Sequence, residues 1–186
     1  MVGIVSYGTY IPRYRIRIAD IAVAWNKDVE EVVRSLGLTD KSVPGFDEDA
    51  ATIAVESAIA SLSVFPGKAG DIDVMFVVSE SHPYAVNPTS TIVGELLGIG
   101  HAYLAVDMEF ACKAGTTAMQ TIAGLIAAGH ARIGMAIGTD TAQGKPHDFL
   151  EYTAAAGGAA FLLGSDHIVA KLLADTSYSS DTPDFW

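Results

Sequence analysis

Ile72-Asp-Val-Met-Phe-Val-Val-Ser79 is an almost unbroken apolar run. A strand with one wet face alternates apolar and polar residues. A short run without alternation is the pattern of a strand buried on both faces, as at the centre of a parallel sheet covered by helices. The flanks supply those helices. Upstream, Asp47 to Leu62 carries apolar residues at three and four, acidic residues about its first turn, and Pro66-Gly67 beyond its end. Downstream, Pro88-Thr-Ser opens a short helix to Leu97. A strand at Tyr103–Met108, a helix at Cys112–Ala128 and a strand at Arg132–Thr139 follow. This alternation predicts an α/β layered domain with a mostly parallel sheet.

Outward from that centre the pattern continues. Val2 to Tyr10 reads as a first strand, and Ile18–Trp25 and Asp28–Leu36 as helices. Asp28 is the N-cap of the second, and Gly37 stops it. Ala154–Leu163 and His167–Ala174 read as two last strands joined at Gly164-Ser165-Asp166, an expected antiparallel pair. Cys112–Ala128 is apolar nearly all round, which predicts a helix in the molecular interior. The tail Thr182-Pro-Asp-Phe-Trp186 shows no closing element and reads as an interruption rather than a domain end.

Composition narrows the function classes. Half of the 186 residues are hydrophobic and 18% are charged, with a net charge of −11. Without a basic stretch to neutralise phosphates, a nucleic-acid partner is not expected. No run reaches the ~18 apolar residues of a membrane span. The N-terminus lacks the basic and apolar regions of a signal peptide. The single cysteine excludes an intrachain disulfide framework, and the expected location is the cytoplasm. No histidine pair has metal-ligand spacing, and no glycine-rich phosphate loop occurs.

That cysteine lies in Asp107-Met-Glu-Phe-Ala-Cys-Lys-Ala-Gly-Thr-Thr-Ala118. A strand ends, the chain turns, and a small-residue helix begins. A thiol at a helix start meets the positive end of the helix dipole and backbone N–H groups that favour thiolate and can hold an oxyanion. Cys112 is therefore a candidate nucleophile, although a lone cysteine in an apolar protein is also read as an inert buried residue. Ser79-Glu-Ser-His-Pro-Tyr84 follows the buried strand, at the sheet edge where α/β proteins place their sites. Glu80 is a candidate general acid/base there, with a solvated loop carboxylate as the plain alternative. His82 is read as structural. His147, in a polar loop, is read as able to touch substrate. Lys113 is given no role.

Together these segments resemble a family. Glu109-Phe-Ala-Cys-Lys-Ala-Gly-Thr116 resembles the nucleophile motif of archaeal-type hydroxymethylglutaryl-CoA synthases. Ser79-Glu-Ser-His-Pro-Tyr-Ala-Val-Asn-Pro-Thr-Ser-Thr91 is similar to their acid/base segment. Gly3-Ile-Val-Ser-Tyr-Gly-Thr-Tyr-Ile-Pro-Arg13, Ala154-Ala-Ala-Gly-Gly-Ala-Ala-Phe161 and Asp181-Thr-Pro-Asp-Phe-Trp186 match as well. The resemblance implies a thiolase-like fold, α/β/α/β/α when complete, of which residues 1–186 are the N-terminal half and the C-terminal half is absent. It implies that acetyl-CoA acylates Cys112, and that Glu80 handles the proton while the acetyl group attacks acetoacetyl-CoA. The product is hydroxymethylglutaryl-CoA, of the mevalonate route to isoprenoids. It implies no metal or redox cofactor, only coenzyme A thioesters as substrates. The implied partners are a second copy paired along Tyr103–Met108, a C-terminal-half chain, an acetoacetyl-CoA thiolase and a small zinc-ribbon/OB-fold scaffold protein. Without the missing half, which carries an acetoacetyl-CoA-orienting histidine in the family, the chain is expected to be inactive. The rival readings are a ketoacyl-carrier-protein synthase III-like acyl transferase and a non-catalytic subunit of the same fold.

Overall fold

A computed structural model describes residues 1–180. The expected tail at 182–186 lies outside the described residues. The apolar run at 72–79 forms β4 (Val74–Val78), and each of its five residues is buried. β4 runs parallel to β5 (Leu104–Met108) on one side and to β6 (Gly134–Thr141) on the other. The sheet continues from β6 through β7 (Ala156–Gly164) and β1 (Gly3–Tyr10) to β8 (Ala170–Lys171). β7 is antiparallel to both β6 and β1.

Alternate side chains of β4 feed two cores, as the pleat requires. Met75 and Val77 pack with Ala54 and Ala58 of α3 (Ala50–Ser63) and Val93 of α4 (Thr89–Leu97). Val74, Phe76 and Val78 pack with Ala114, Ala118, Ile122 and Ile126 of α5 (Ala114–Ala127). The result is three layers, α3 and α4 on one face of the sheet and α5 on the other, the α/β arrangement expected. Gly8 of β1 is the point of closest approach to α3. A Cβ there would lie 2.1 Å from the Ser61 nitrogen, so only glycine fits.

Helix ends follow local chemistry. Asp28 caps α2 (Val29–Leu36) by accepting from the Glu31 N–H, and Gly37 ends it at a φ of 66°. Asp49 and Thr52 form a reciprocal capping box on α3. α3 therefore starts later than its sequence pattern suggests. Asp47 and Glu48 precede it, and Glu48 is engaged by the Tyr10 hydroxyl and the Gly45 N–H instead of a helix turn.

Two expectations are corrected. β7 and β8 are not a hairpin, because β1 lies between them. β1 offers eight residues to the open edge of β7, whereas β8 is two residues long and takes the outer edge of β1. α5 is not enclosed all round. Only the face with Ala114, Ala118, Ile122 and Ile126 is buried, and Gln120 on another face exchanges hydrogen bonds with Asp175 and Ser177. Apolar composition alone does not say which side of a helix meets the sheet. The small sheet of β2 (Tyr14–Arg17) and β3 (Asp40–Val43), flanking α1 (Ile18–Ala24) and α2, had no clear signal, since both strands are short and charged.

Candidate active site

The three parallel strands β5, β4 and β6 end at one edge of the sheet, so the residues that follow them converge. Past β4 come Ser79, Glu80 and Ser81. Past β5 come Glu109, Phe110, Ala111 and Cys112. β6 ends in Asp140 and Thr141. The edge of an open α/β sheet beyond its strand C-termini is where such folds bind ligands.

The turn after β5 is tight. Ala111 adopts a φ of 42°, a left-handed conformation that costs a non-glycine residue energy. It leads into a single 3-10 turn at Ala111–Lys113, from which α5 continues without a side-chain cap. Cys112 thus stands just ahead of α5, its side chain exposed and unpaired in any disulfide. This is the strand-end, helix-start placement expected of the nucleophile. The Ala111 N–H, however, is not open to a substrate oxygen, because the Glu80 carboxylate accepts it. Any oxyanion hole uses other donors.

The Glu80 carboxylate thus reaches the backbone beside Cys112, on the same side of the sheet. Both residues line one cavity of about 510 Å³, with Ser81, Ala111, Asp140 and Thr141. Asp140 fixes the Glu80 turn. Its carboxylate accepts from the Ser81 hydroxyl at 2.5 Å and from the Glu80 N–H at 3.2 Å. The Ser81 oxygen in turn accepts from the Thr141 N–H at 2.9 Å. Asp140 and Ser81 were missed in the sequence. The available signal was a polar strand end, Thr139-Asp-Thr141, on the third strand to reach that edge.

The remaining candidates are placed as follows. The Lys113 ammonium lies 4.5 Å above the Phe110 ring and 3.2 Å from the Ser179 hydroxyl, engagements that leave it no evident part in the chemistry. The His147 ring stacks on Trp25 at 4.5 Å, and both engage Glu151, Trp25 through its indole N–H and His147 through its backbone N–H. In this arrangement His147 braces a loop and is not on the cavity wall. The His82 side chain is covered beside Thr89 and Asp107. Among the described residues no group of acidic, histidine and cysteine side chains could hold a metal ion. No helix among them is long and apolar enough to cross a membrane.

A mixed sheet between helical layers, with three parallel strands ending at one edge, is a thiolase-like fold. Solved structures agree. A 3-oxoacyl-(acyl-carrier-protein) synthase III superposes with a TM-score of 0.83 at 18% identity, over 89% of this chain and 50% of that one. An HMG-CoA synthase complexed with CoA superposes with a TM-score of 0.82 at 24% identity, over 89% of this chain and 42% of that one. No family model matches the chain. Its curated relatives are more specific. Hydroxymethylglutaryl-CoA synthase of Archaeoglobus fulgidus is 55% identical over 186 residues, all of this chain and 54% of the relative. That of Methanocaldococcus jannaschii is 52% identical, again over all of this chain and 54% of the relative. Over its whole length the chain is a homologue of the archaeal-type hydroxymethylglutaryl-CoA synthases, and it spans about half the length of these curated relatives.

Proposed function

We propose that this chain carries the nucleophile and the acid/base of a hydroxymethylglutaryl-CoA synthase. The Cys112 thiolate attacks the thioester carbonyl of acetyl-CoA, and coenzyme A leaves with a proton. The Glu80 carboxylate takes a proton from the methyl group of the resulting acetyl-thioester. The carbanion so formed attacks the ketone of acetoacetyl-CoA, and the new alkoxide takes the proton from the Glu80 carboxylic acid, which returns to carboxylate. Water then cleaves the Cys112 thioester and releases hydroxymethylglutaryl-CoA. No metal or redox group is required, because every step is acyl transfer, proton transfer or carbon–carbon bond formation.

One observation carries this reading. The Glu80 carboxylate meets the backbone of the Cys112 turn across the ends of two adjacent strands, and both residues line one cavity. Support also comes from the relatives at more than 50% identity and from a neighbour whose structure holds CoA. Cys112 is exposed, as is Glu80, so the site is half a pocket. We assign its covering wall to sequence like that which the relatives possess beyond the matched region. β5 ends the sheet, and its outer edge has no partner strand among the described residues. We assign that edge to a two-fold dimer.

The test is a coenzyme A-release assay with acetyl-CoA and acetoacetyl-CoA. It is run on this chain and then on a mixture with the C-terminal part of a relative. The expected result is turnover only in the mixture. Comparable turnover by the chain alone would overturn the division of labour. Turnover that prefers malonyl-carrier protein would support the synthase III-like reading. Absence of acyl transfer in the mixture would support a non-catalytic subunit.

A further inference from the structure

The Ser79–Pro88 turn carries a second buried junction that the steps above do not use. The His82 side chain is 7% exposed. Its Nδ1 lies 2.8 Å from the Thr89 hydroxyl and 3.6 Å from the Asp107 carboxylate. Its Nε2 is buried with no hydrogen-bond partner among the described residues. Asp107 belongs to β5 and caps α4, accepting the Thr89 N–H at 2.6 Å and the Ser90 N–H at 2.8 Å. Thr89 and Ser90 are fully buried.

The place of this junction in the chain gives it meaning. His82 is two residues beyond Glu80, and Asp107 is five residues before Cys112. The junction therefore ties the segment bearing the acid/base to the strand that delivers the nucleophile, behind the point where Glu80 and Ala111 meet. A buried histidine with one unsatisfied nitrogen has a cost that packing alone does not require, since an aromatic hydrocarbon would fill the space without it. Resting on the Cys112 and Glu80 reading above, we propose that His82 is a positioning residue: through Thr89 and Asp107 it holds the Glu80 carboxylate against the Ala111–Cys112 turn.

The experiment uses the chain with two readouts, amide exchange at Ala111 and the rate of Cys112 alkylation by iodoacetamide. His82→Phe should speed Ala111 exchange about five- to tenfold, the size expected for one lost hydrogen bond of ordinary net strength. Exchange at Met75, Phe76 and Val77 should not change. The alkylation rate should move in the direction in which Glu80→Gln moves it. His82→Phe should add nothing in the Glu80→Gln background, because both act through one contact. His82→Asn, whose amide nitrogen reaches the position of Nδ1, should restore both readouts. Should His82→Phe fail to fold, Thr89→Val removes the same hydrogen bond at nearly constant volume and should give the same shifts. Unchanged Ala111 exchange, or equal effects with and without Glu80, would overturn the positioning role. An alkylation rate indifferent to Glu80→Gln would instead count against the acid/base reading, while Ala111 exchange continues to test the junction.

Discussion

Ala111 shows how much of the site is set by one backbone angle. Its φ of 42° turns the chain from β5 into α5 within a few residues and aims its N–H at Glu80. Ala111→Gly keeps that angle without a steric cost. Ala111→Val places a branched side chain where even alanine is strained. We expect it to lower stability by about 1–2 kcal/mol, read by urea unfolding, and to weaken the Glu80 contact. Equal stability of the two variants would count against the strain. The sequence pointed to Cys112 and Glu80 because each follows a strand pattern with a chemistry-bearing side chain. It did not reveal the Ala111 conformation, since nothing in the residue type demands a positive φ. Nor did it reveal Asp140 or the partners of His82, which are separated from Glu80 and from one another along the chain and meet only in the folded sheet.

Elements, rather than loops, set the spacing of the site. At the opposite end of the same strands, Asp73 accepts the Arg132 N–H at 2.7 Å and the Ile133 N–H at 3.4 Å, and it pairs with the Arg132 guanidinium at 3.2 Å. This holds the starts of β4 and β6 level, so that their ends also stay level. Burial of Asp73 pushes its pKa up. The hydrogen bonds from the Arg132 side chain and from the two backbone N–H groups outweigh burial and hold it below the usual carboxylate range. A carboxylate with a folded pKa below its unfolded one adds stability above the unfolded value, near 4, and loses it as pH falls through the folded value. Asp73→Asn should therefore cost about 1–2 kcal/mol at neutral pH and nothing measurable in strong acid, read by melting across pH. A loss independent of pH would contradict this account. The strand and helix order was legible because period and length separate a buried strand from an amphipathic helix. Strand neighbours were not: β1 enters between β7 and β8 although the pattern suggested a hairpin, because sheet order is a competition for edges and not a property of any one segment.

Over the whole molecule, two surfaces lack a covering layer. One is the outer edge of β5, a row of backbone groups with no strand beside it among the described residues. Pairing through it predicts a dimer by light scattering when the C-terminal part is present. The Leu104 N–H bonds the Asp73 carbonyl, so residues 104, 106 and 108 face β4 and the Ala105 N–H faces the open edge; Ala105→Pro should give a monomer. A monomer at micromolar concentration before any substitution would remove the dimer assignment. The other surface is the open cavity with Glu80 and Cys112 on its wall, in a chain about half the length of its curated relatives. The most direct measurement is mass mapping of the chain, mixed with the C-terminal part of a relative and given acetyl-CoA, then acetoacetyl-CoA. The account predicts acetyl on Cys112, discharged as hydroxymethylglutaryl-CoA by the parent chain. In Glu80→Gln the acetyl group should form and persist. Acetyl found on another residue, or discharge by Glu80→Gln at the parent rate, would contradict it.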